Sequence, residues 1–338
     1  MGCILKYVMV RYMNWPVLLL FPALLCAQSQ PPKPKPADDD LGPAIKVDVD
    51  LVNLLFSVRD KKGVYQPNLT KDDLEFYEDG KKQEPKYFTR ETDLPLTIGL
   101  LIDVSRSQES LIEEERRASF TFFSQVLRKK DMAFIISFGA DCEELQDFTS
   151  SLQLLQKGLG ALRLNAAVGG MSPTGPTVPS ASANRGTVLY EAVWLAAKEK
   201  LRSEVGRKVL VIITDGVDVG SRIKIEKAIE EAHRSDTMIY SVLFEDPRYT
   251  SWQYGGMSGE GPMRRMAEET GGRVFRVDRK TSLEDIYKTI QEEMRSQYAA
   301  AYTPTNGGKD GTFRRTEVRA KNKELKVQVR KGYYADKN

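Results

Sequence analysis

Apolar positions change their spacing twice along the chain, and these changes divide it into three regions. From Ile45 to Ser57 they first alternate with polar residues and then run together, which is typical of strands. From Leu96 onwards, short continuous apolar runs alternate with segments in which apolar residues recur every three or four positions. After Gln297 the strand pattern returns and continues to Tyr334. The pattern therefore predicts a β segment, a long α/β region and a second β segment.

The middle region predicts a parallel sheet with helices on both faces. Predicted strands cover 96–102, 132–138, 209–213, 238–244 and 273–277, and predicted helices cover 109–127, 152–162, 188–201, 224–234, 263–270 and 283–296. Continuous apolar strands that alternate with amphipathic helices are typical of a doubly wound, mostly parallel, Rossmann-like α/β fold. Neither a dinucleotide-binding glycine pattern nor a P-loop occurs, so the sequence supports no nucleotide site.

The two flanking β segments, 45–93 and 297–334, are each too short to give an independent core. The α/β region should bring its entry and exit points close together. We therefore predict that both flanks combine into one small β-sandwich from which the α/β region projects. The alternative is that each flank adds edge strands by itself.

Residues 1–27 have the features of a secretory signal peptide. Lys6 and Arg11 precede an apolar run of 13 residues that ends at Ala27. A transmembrane helix needs roughly 20 residues, and two prolines interrupt this run. We expect a secreted or periplasmic protein, with no membrane span in the mature chain and a Pro-rich linker at 28–44. A buried N-terminal helix is the alternative, and lipid attachment at Cys26 is not expected because Leu25 precedes it.

The composition argues against several classes of function and site. The 50 Lys and Arg residues nearly balance 47 Asp and Glu residues, which argues against a nucleic-acid binder. The one histidine, His233, excludes a His-rich zinc site, and its charged helix suggests that it faces solvent. Two of the three cysteines lie in the predicted leader, so Cys142 remains as a small apolar filler and no intrachain disulfide is expected.

Three short segments carry candidate chemistry. The first α/β strand ends in Asp103-Val-Ser-Arg-Ser, Arg185-Gly-Thr precedes a helix, and the strand 209–213 ends in Thr214-Asp-Gly. The carboxyl ends of parallel strands share one edge of a sheet, where ligands bind. Two carboxylates and three hydroxyls suit a hard cation such as Mg²⁺ or Mn²⁺, and the set predicted to hold it is Asp103, Ser105, Ser107, Thr187 and Asp215. The simpler alternative is that Asp103 and Ser105 cap a helix.

The same residues resemble a known site. Asp103-x-Ser105-x-Ser107, the later Thr187 and Asp215-Gly are similar to the metal-ion-dependent adhesion site of von Willebrand factor A domains, including integrin I domains. The flanking sequences LTKDDLEFYEDGKKQ and VRKGYYA resemble those of secreted bacterial proteins called VWFA-related.

The resemblance implies a von Willebrand factor A domain over 94–296. It also implies serines that coordinate directly, and a threonine and aspartates that coordinate directly or through water. Mg²⁺ is the expected ion, with Mn²⁺ or Ca²⁺ possible, and an acidic ligand completes its shell. A long small-residue segment at 165–184 departs from the pattern.

Several other residues are candidates for ligand binding. Arg106 and Gly186 flank the predicted ligands; Arg106 could steer acidic ligands or be a plain surface charge. The loop after strand 238–244 carries Tyr249, Trp252 and Tyr254, and such aromatics either contact a partner or pack on their own loop. Asp218 either supports the metal ligands or is a solvated loop acid.

We expect an extracytoplasmic adhesion or binding protein, not an enzyme. Its cation would capture a carboxylate on a partner protein or surface polymer, with no role for nucleic acid. One alternative is a Mg²⁺-dependent phosphohydrolase with Asp103 as nucleophile, although such enzymes place a second acid where this chain has Ser105. The other alternative is an envelope-assembly module whose metal site is not functional.

Overall fold

The computed structural model describes residues 51–90, 94–164, 186–245 and 259–335. In chain order its strands are β1 (Val52–Arg59), β2 (Leu74–Glu78), β3 (Lys81–Gln83), β4 (Tyr87–Arg90), β5 (Leu96–Asp103), β6 (Met132–Phe138), β7 (Cys142–Thr149), β8 (Arg207–Thr214), β9 (Thr237–Leu243), β10 (Val274–Arg276), β11 (Tyr298–Tyr302), β12 (Phe313–Ala320), β13 (Lys326–Val329) and β14 (Gly332–Tyr334). Its helices are α1 (Ile112–Val126), α2 (Leu152–Gly160), α3 (Leu189–Leu195), α4 (Ile225–Arg234), α5 (Glu260–Thr270) and α6 (Leu283–Arg295).

A six-stranded sheet forms the centre of the α/β region, in the order β10-β9-β8-β5-β6-β7. All neighbours pair in parallel except β6 and β7, which are antiparallel. β5 and β8 lie in the middle and are buried along their whole length, because apolar clusters cover both faces of the sheet. Each continuous apolar run in the sequence therefore reports a strand buried on both faces.

Gly99 lies in the centre of β5, where a side chain has no room. A Cβ atom there would lie 2.3 Å from the Phe134 ring and 2.5 Å from Leu210, which belong to the two neighbouring strands. The glycine lets these large side chains cross over β5, and this keeps the sheet closely packed.

The flanking segments pair with each other. One sheet has the order β13-β1-β11-β4 and the other β14-β12-β2-β3, so each contains strands from both ends of the described chain. Their facing sides share one apolar core, in which the rings of Phe56 and Phe76 pack edge to face with centroids 6.0 Å apart. The predicted fold class, a doubly wound sheet with a small flanking sandwich from both flanks, is confirmed.

Several elements differ from the sequence expectations. α5 begins at Glu260, three residues earlier than expected, and α3 ends at Leu195 and continues as a π-helix over Ala196–Leu201. β7 was not predicted, because its sequence CEELQDFT is polar and partly exposed at the edge of the sheet, where no apolar period is required. α1 begins at Ile112, three residues later than expected, because a 3-10 turn at Arg106–Gln108 comes first. Residues 45–50 of the first predicted strand lie outside the described part of the chain.

The prediction that His233 faces solvent is wrong. The structure buries this side chain to 4% exposure on α4, because β14 of the sandwich packs against that helix. Phe313 and Tyr334 pack edge to face on its ring, with centroids 5.2 and 6.3 Å away.

Within the described ranges, no helix combines the length and apolar character required to cross a bilayer.

Candidate metal centre

Asp103 is the last residue of β5 and is fully buried at the carboxyl edge of the central sheet. One carboxylate oxygen accepts a hydrogen bond from the backbone N–H of Ser105 at 2.8 Å. The other accepts one from the hydroxyl of Thr214 at 2.6 Å. Thr214 ends β8, which pairs with β5, so the geometry of the sheet fixes both sides of this carboxylate.

The turn after β5 brings two serine hydroxyls together. Ser105 is extended and precedes the 3-10 turn Arg106–Gln108, in which the N–H of Gln108 donates to the carbonyl of Ser105 at 3.0 Å. As a result the Oγ atoms of Ser105 and Ser107 lie 3.1 Å apart. The Ser107 hydroxyl then donates to Oδ2 of Asp215 at 2.7 Å, across 108 residues of sequence.

Asp215 is the first residue beyond β8. Its Oδ1 accepts from the backbone N–H of Val217 at 3.0 Å, and this fixes the carboxylate in a tight turn. The turn requires Gly216, whose φ is +81° and whose missing Cβ would lie 2.6 Å from the carbonyl oxygen of Gly259. The Asp-Gly pair is thus a backbone requirement as well as a sequence motif.

Thr187 reaches the same edge through its backbone. Its carbonyl accepts from the N–H groups of Val219 and Gly220, both at 3.1 Å, in the loop that follows Asp215. The next residue, Val188, donates to the carbonyl of Gly139 at 2.9 Å, directly after β6. The segment therefore spans the carboxyl ends of β6 and β8. Hydrogen bonds join four of the five predicted ligands to one another, and Thr187 is held by its carbonyl to the loop that follows Asp215.

Gly186 has a packing reason to be glycine. A Cβ atom there would lie 2.6 Å from the Cβ of Val219, and the carbonyl of Gly186 would meet a Cβ built on Gly220 at 2.5 Å. These two backbone segments can lie this close together only because both positions lack a side chain. This close approach sets the position of Thr187 relative to the Asp215 loop.

The electrostatics favour a cation at this edge. Burial, and then the neighbouring Asp215 carboxylate, raises the pKa of Asp103 to about 7. Two buried acids at the same site repel each other, and a divalent cation would relieve that repulsion. Within the described ranges, no group of three or more His, Cys, Asp or Glu side chains could hold a metal ion. This candidate accordingly depends on hydroxyl oxygens for most of its protein ligands, a donor set that fits Mg²⁺.

Sequence reasoning missed three residues behind the site. Thr214 holds Asp103, and its place at a strand end before Asp-Gly was the available signal. The Gln108 amide donates to the carbonyl of Phe244 at 3.1 Å and so ties the serine turn to the end of β9, while its Oε1 has no partner. Glu115 on α1 is fully buried with neither oxygen hydrogen-bonded, and burial followed by the charge of Asp103 raises its pKa well above the usual range. The neighbours of Glu115 in the sequence are charged, so nothing in the sequence indicated that this residue is buried.

The other candidate residues have different surroundings. Arg106 is exposed on the serine turn. Asp218 accepts from the Ser221 hydroxyl at 2.6 Å and from the N–H of Tyr190 at 3.1 Å, so it anchors the loop to the start of α3. Cys142 is half-buried against the apolar cluster under α3. Tyr249, Trp252, Tyr254 and the segment 165–184 lie outside the described residues.

Comparison with known proteins gives one family and several similar folds. Residues 98–289 match the von Willebrand factor type A domain. An aerotolerance-related membrane protein from Bacteroides fragilis, crystallised with multiple mutations to serines, is similar at 17% identity and a TM-score of 0.43, over 59% of this chain and 98% of that chain. BatB from Bacteroides thetaiotaomicron, described as a conserved hypothetical protein, is similar at 18% identity and a TM-score of 0.44, over 59% and 97%.

A von Willebrand factor type A protein from Catenulispora acidiphila is similar over more of this chain. It shares 11% identity at a TM-score of 0.45, over 78% of this chain and 72% of that chain. No sequence among curated proteins matched this chain.

Proposed function

The chain belongs to the von Willebrand factor type A domain family, and we propose that it is an extracytoplasmic protein that captures an acidic group of a partner through a bound divalent cation. The family indicates a protein-interaction or adhesion type of function. The finer statement rests on the oxygen-rich edge of the central sheet. It also rests on the signal-peptide features of residues 1–27, which are taken from the sequence alone.

The protein's own groups have distinct tasks in this proposal. Asp103 and Asp215 would supply negative charge, and the hydroxyls of Ser105, Ser107 and Thr187 would supply neutral oxygen ligands. When bound, Mg²⁺ would offer a coordination position and positive charge to an incoming carboxylate. Thr214 and the backbone N–H of Ser105 hold the Asp103 carboxylate in place, so little reorganisation is needed on binding.

The observation that carries the proposal is the hydrogen bond between Ser107 and Asp215 at 2.7 Å. It brings the serine turn after β5 into contact with the Asp-Gly turn after β8. Asp103, in addition, is fully buried with both oxygens hydrogen-bonded. This arrangement supports a fixed ligand more than a nucleophile that must reach a phosphate ester, so the binding function is favoured over the hydrolytic one.

The test is partner capture by the immobilised full chain from envelope extract, in Mg²⁺ and in EDTA. We expect a set of partners that is retained in Mg²⁺, is released by EDTA, and is absent with Asp103→Ala. Glu143→Ala is the matched control, because it removes one carboxylate from an exposed position on β7. Capture that survives both EDTA and Asp103→Ala would contradict the proposal.

A further inference from the structure

A cleft of about 240 Å³ lies at the other edge of the central sheet, against the flanking sandwich. It is lined by the first residues of β8 and β9, by the end of α4 and by residues of β1. Because β8 is parallel to β5 and eight residues long, its amino end lies about 25 Å from the candidate metal centre. The cleft is therefore separate from that centre.

Lys208 gives this cleft an unbalanced positive charge. The residue is only 9% exposed, and its ammonium group donates to the backbone carbonyl of Glu204 at 3.1 Å. Among the described residues, no carboxylate lies within ion-pair distance of it. Two acids lie nearby: Asp236 already pairs with Arg330, and Glu204 lies beyond ion-pair distance of Lys208. Burial, the largest influence, lowers the pKa of Lys208, as expected for a cation that lacks a close counter-charge.

Other polar groups around the cleft also lack partners. Neither ring nitrogen of His233 is hydrogen-bonded, and Nε of Arg330 is likewise without a partner. The backbone of Gly332 is the smallest influence on the pKa of His233 and raises it. Because these nitrogen atoms are themselves buried, the inference of a ligand rests on Lys208 and the cleft that it lines.

Charge and size together define the ligand class. The cleft is smaller than the roughly 300–1,000 Å³ that accommodates drug-sized ligands, so its occupant is small. We infer that this cleft is a second binding site, for a small anion with a carboxylate or phosphate group, and that Lys208 supplies its counter-charge. The inference does not depend on the metal centre or on the proposed adhesion function.

The first experiment is titration of the purified full chain with inorganic phosphate and, separately, with citrate, at pH 7 and constant ionic strength. Calorimetry gives the Kd and thermal unfolding gives the Tm. We expect one or both anions to raise the Tm of the native chain, and Lys208→Met to weaken binding at least tenfold. Lys157→Met, which removes an exposed lysine from α2, should bind as the native chain does. The anion that binds more tightly shows whether the site prefers a phosphate or a carboxylate group.

The same variants distinguish a binding role from a structural one. If the role of Lys208 is to bind an anion, Lys208→Met should raise the Tm of the ligand-free protein, because an unpaired buried charge is removed. A structural lysine that caps the carbonyl of Glu204 would give a lower Tm instead. A lower Tm together with no response of the native chain to either anion would overturn the inference.

A second pair of variants avoids the buried position altogether. Val205 lines the cleft and is 79% exposed, so charges there should not disturb folding. Val205→Asp should weaken anion binding about fivefold at low salt, and Val205→Lys should strengthen it. Val64→Asp is the control on an exposed turn outside the cleft. Equal affinity in all four proteins would contradict a site at this position.

Discussion

The two edges of the central sheet bury charges of opposite sign. At the carboxyl edge, Asp103 and Asp215 lie together and accept hydrogen bonds from hydroxyls and backbone N–H groups, and the buried acid Glu115 lies behind them. At the amino edge, Lys208 is buried beside Arg330, and the nearby Asp236 is already paired. One edge has the chemistry for a cation and the other has the chemistry for an anion, although both belong to the same strands.

A third buried charge shows what a satisfied group looks like. Glu293 on α6 is 1% exposed and accepts from the hydroxyls of Ser57 at 2.8 Å and Tyr65 at 2.9 Å. It also pairs with Arg273 at 3.3 Å. Its partners come from β1, the following loop and the start of β10, so it joins the sandwich to the α/β region and needs no ion. Burial of an acid is therefore not enough to identify a site; the partners must be counted.

The largest expected effect is the loss of Mg²⁺ binding at the carboxyl edge when Asp103 is substituted. Asp103→Asn should weaken Mg²⁺ binding at least a thousandfold, about 4 kcal/mol, because a charged ligand is lost. Phosphate binding at the amino edge should not change. In EDTA at pH 8 the variant should be more stable than the native chain, because repulsion with Asp215 disappears. Calorimetric titration with each ion, and unfolding in urea, check these three outcomes.

The next largest effect is expected from removal of Glu293, the buried acid whose hydrogen-bond partners are all present. Glu293→Ala should lower the free energy of unfolding by about 3 kcal/mol, because it leaves the half-buried Arg273 without its counter-charge and two hydroxyls without their acceptor. Mg²⁺ and phosphate affinities of the folded variant should equal those of the native chain. Urea unfolding gives the stability. A change in either affinity would mean that the two edges are coupled through the sandwich.

The third prediction concerns pH at the amino edge. Burial, followed by the charge of Arg330, lowers the pKa of His233 to about 4 from an ordinary value of 6.5. Protonation below pH 6.5 therefore favours the unfolded chain, and stability is lost as the pH falls from 6.5 to about 4. Native protein should lose about 2 kcal/mol more than His233→Gln between pH 7 and 4.5. Equal pH profiles from urea unfolding would show that this ring carries no such penalty.

The smallest expected effect concerns the position of Thr187. Gly186→Ala places a methyl group where Val219 lies 2.6 Å away, so the segment before α3 must shift. We expect about tenfold weaker Mg²⁺ binding by calorimetry. Gly160→Ala is the control, because a Cβ there meets nothing within 4 Å. Unchanged affinity would indicate that Thr187 does not contribute to the cation site.

Local pattern was sufficient for most of the elements and for part of the site. The apolar runs of β5 and β8 predicted buried parallel strands, and the residues directly after them predicted which side chains meet at the carboxyl edge. This works because a continuous run reports burial on both faces of one strand, and parallel strands end at one edge. The spacing of Asp103, Ser105 and Ser107 needed no tertiary information.

Contacts between distant elements decided the rest. The sequence could not show that Thr214 holds Asp103, that Glu115 is buried, or that β7 closes the sheet. His233 and Lys208 lie among charged residues in the sequence, yet packing between the sandwich and the α/β region buries them. The period of a segment determines which of its faces is apolar, whereas the element that covers that face is chosen by long-range packing. The side chains that meet at the carboxyl edge could therefore be predicted from local sequence, whereas the burial of Lys208 beside the cleft was visible only in the folded structure.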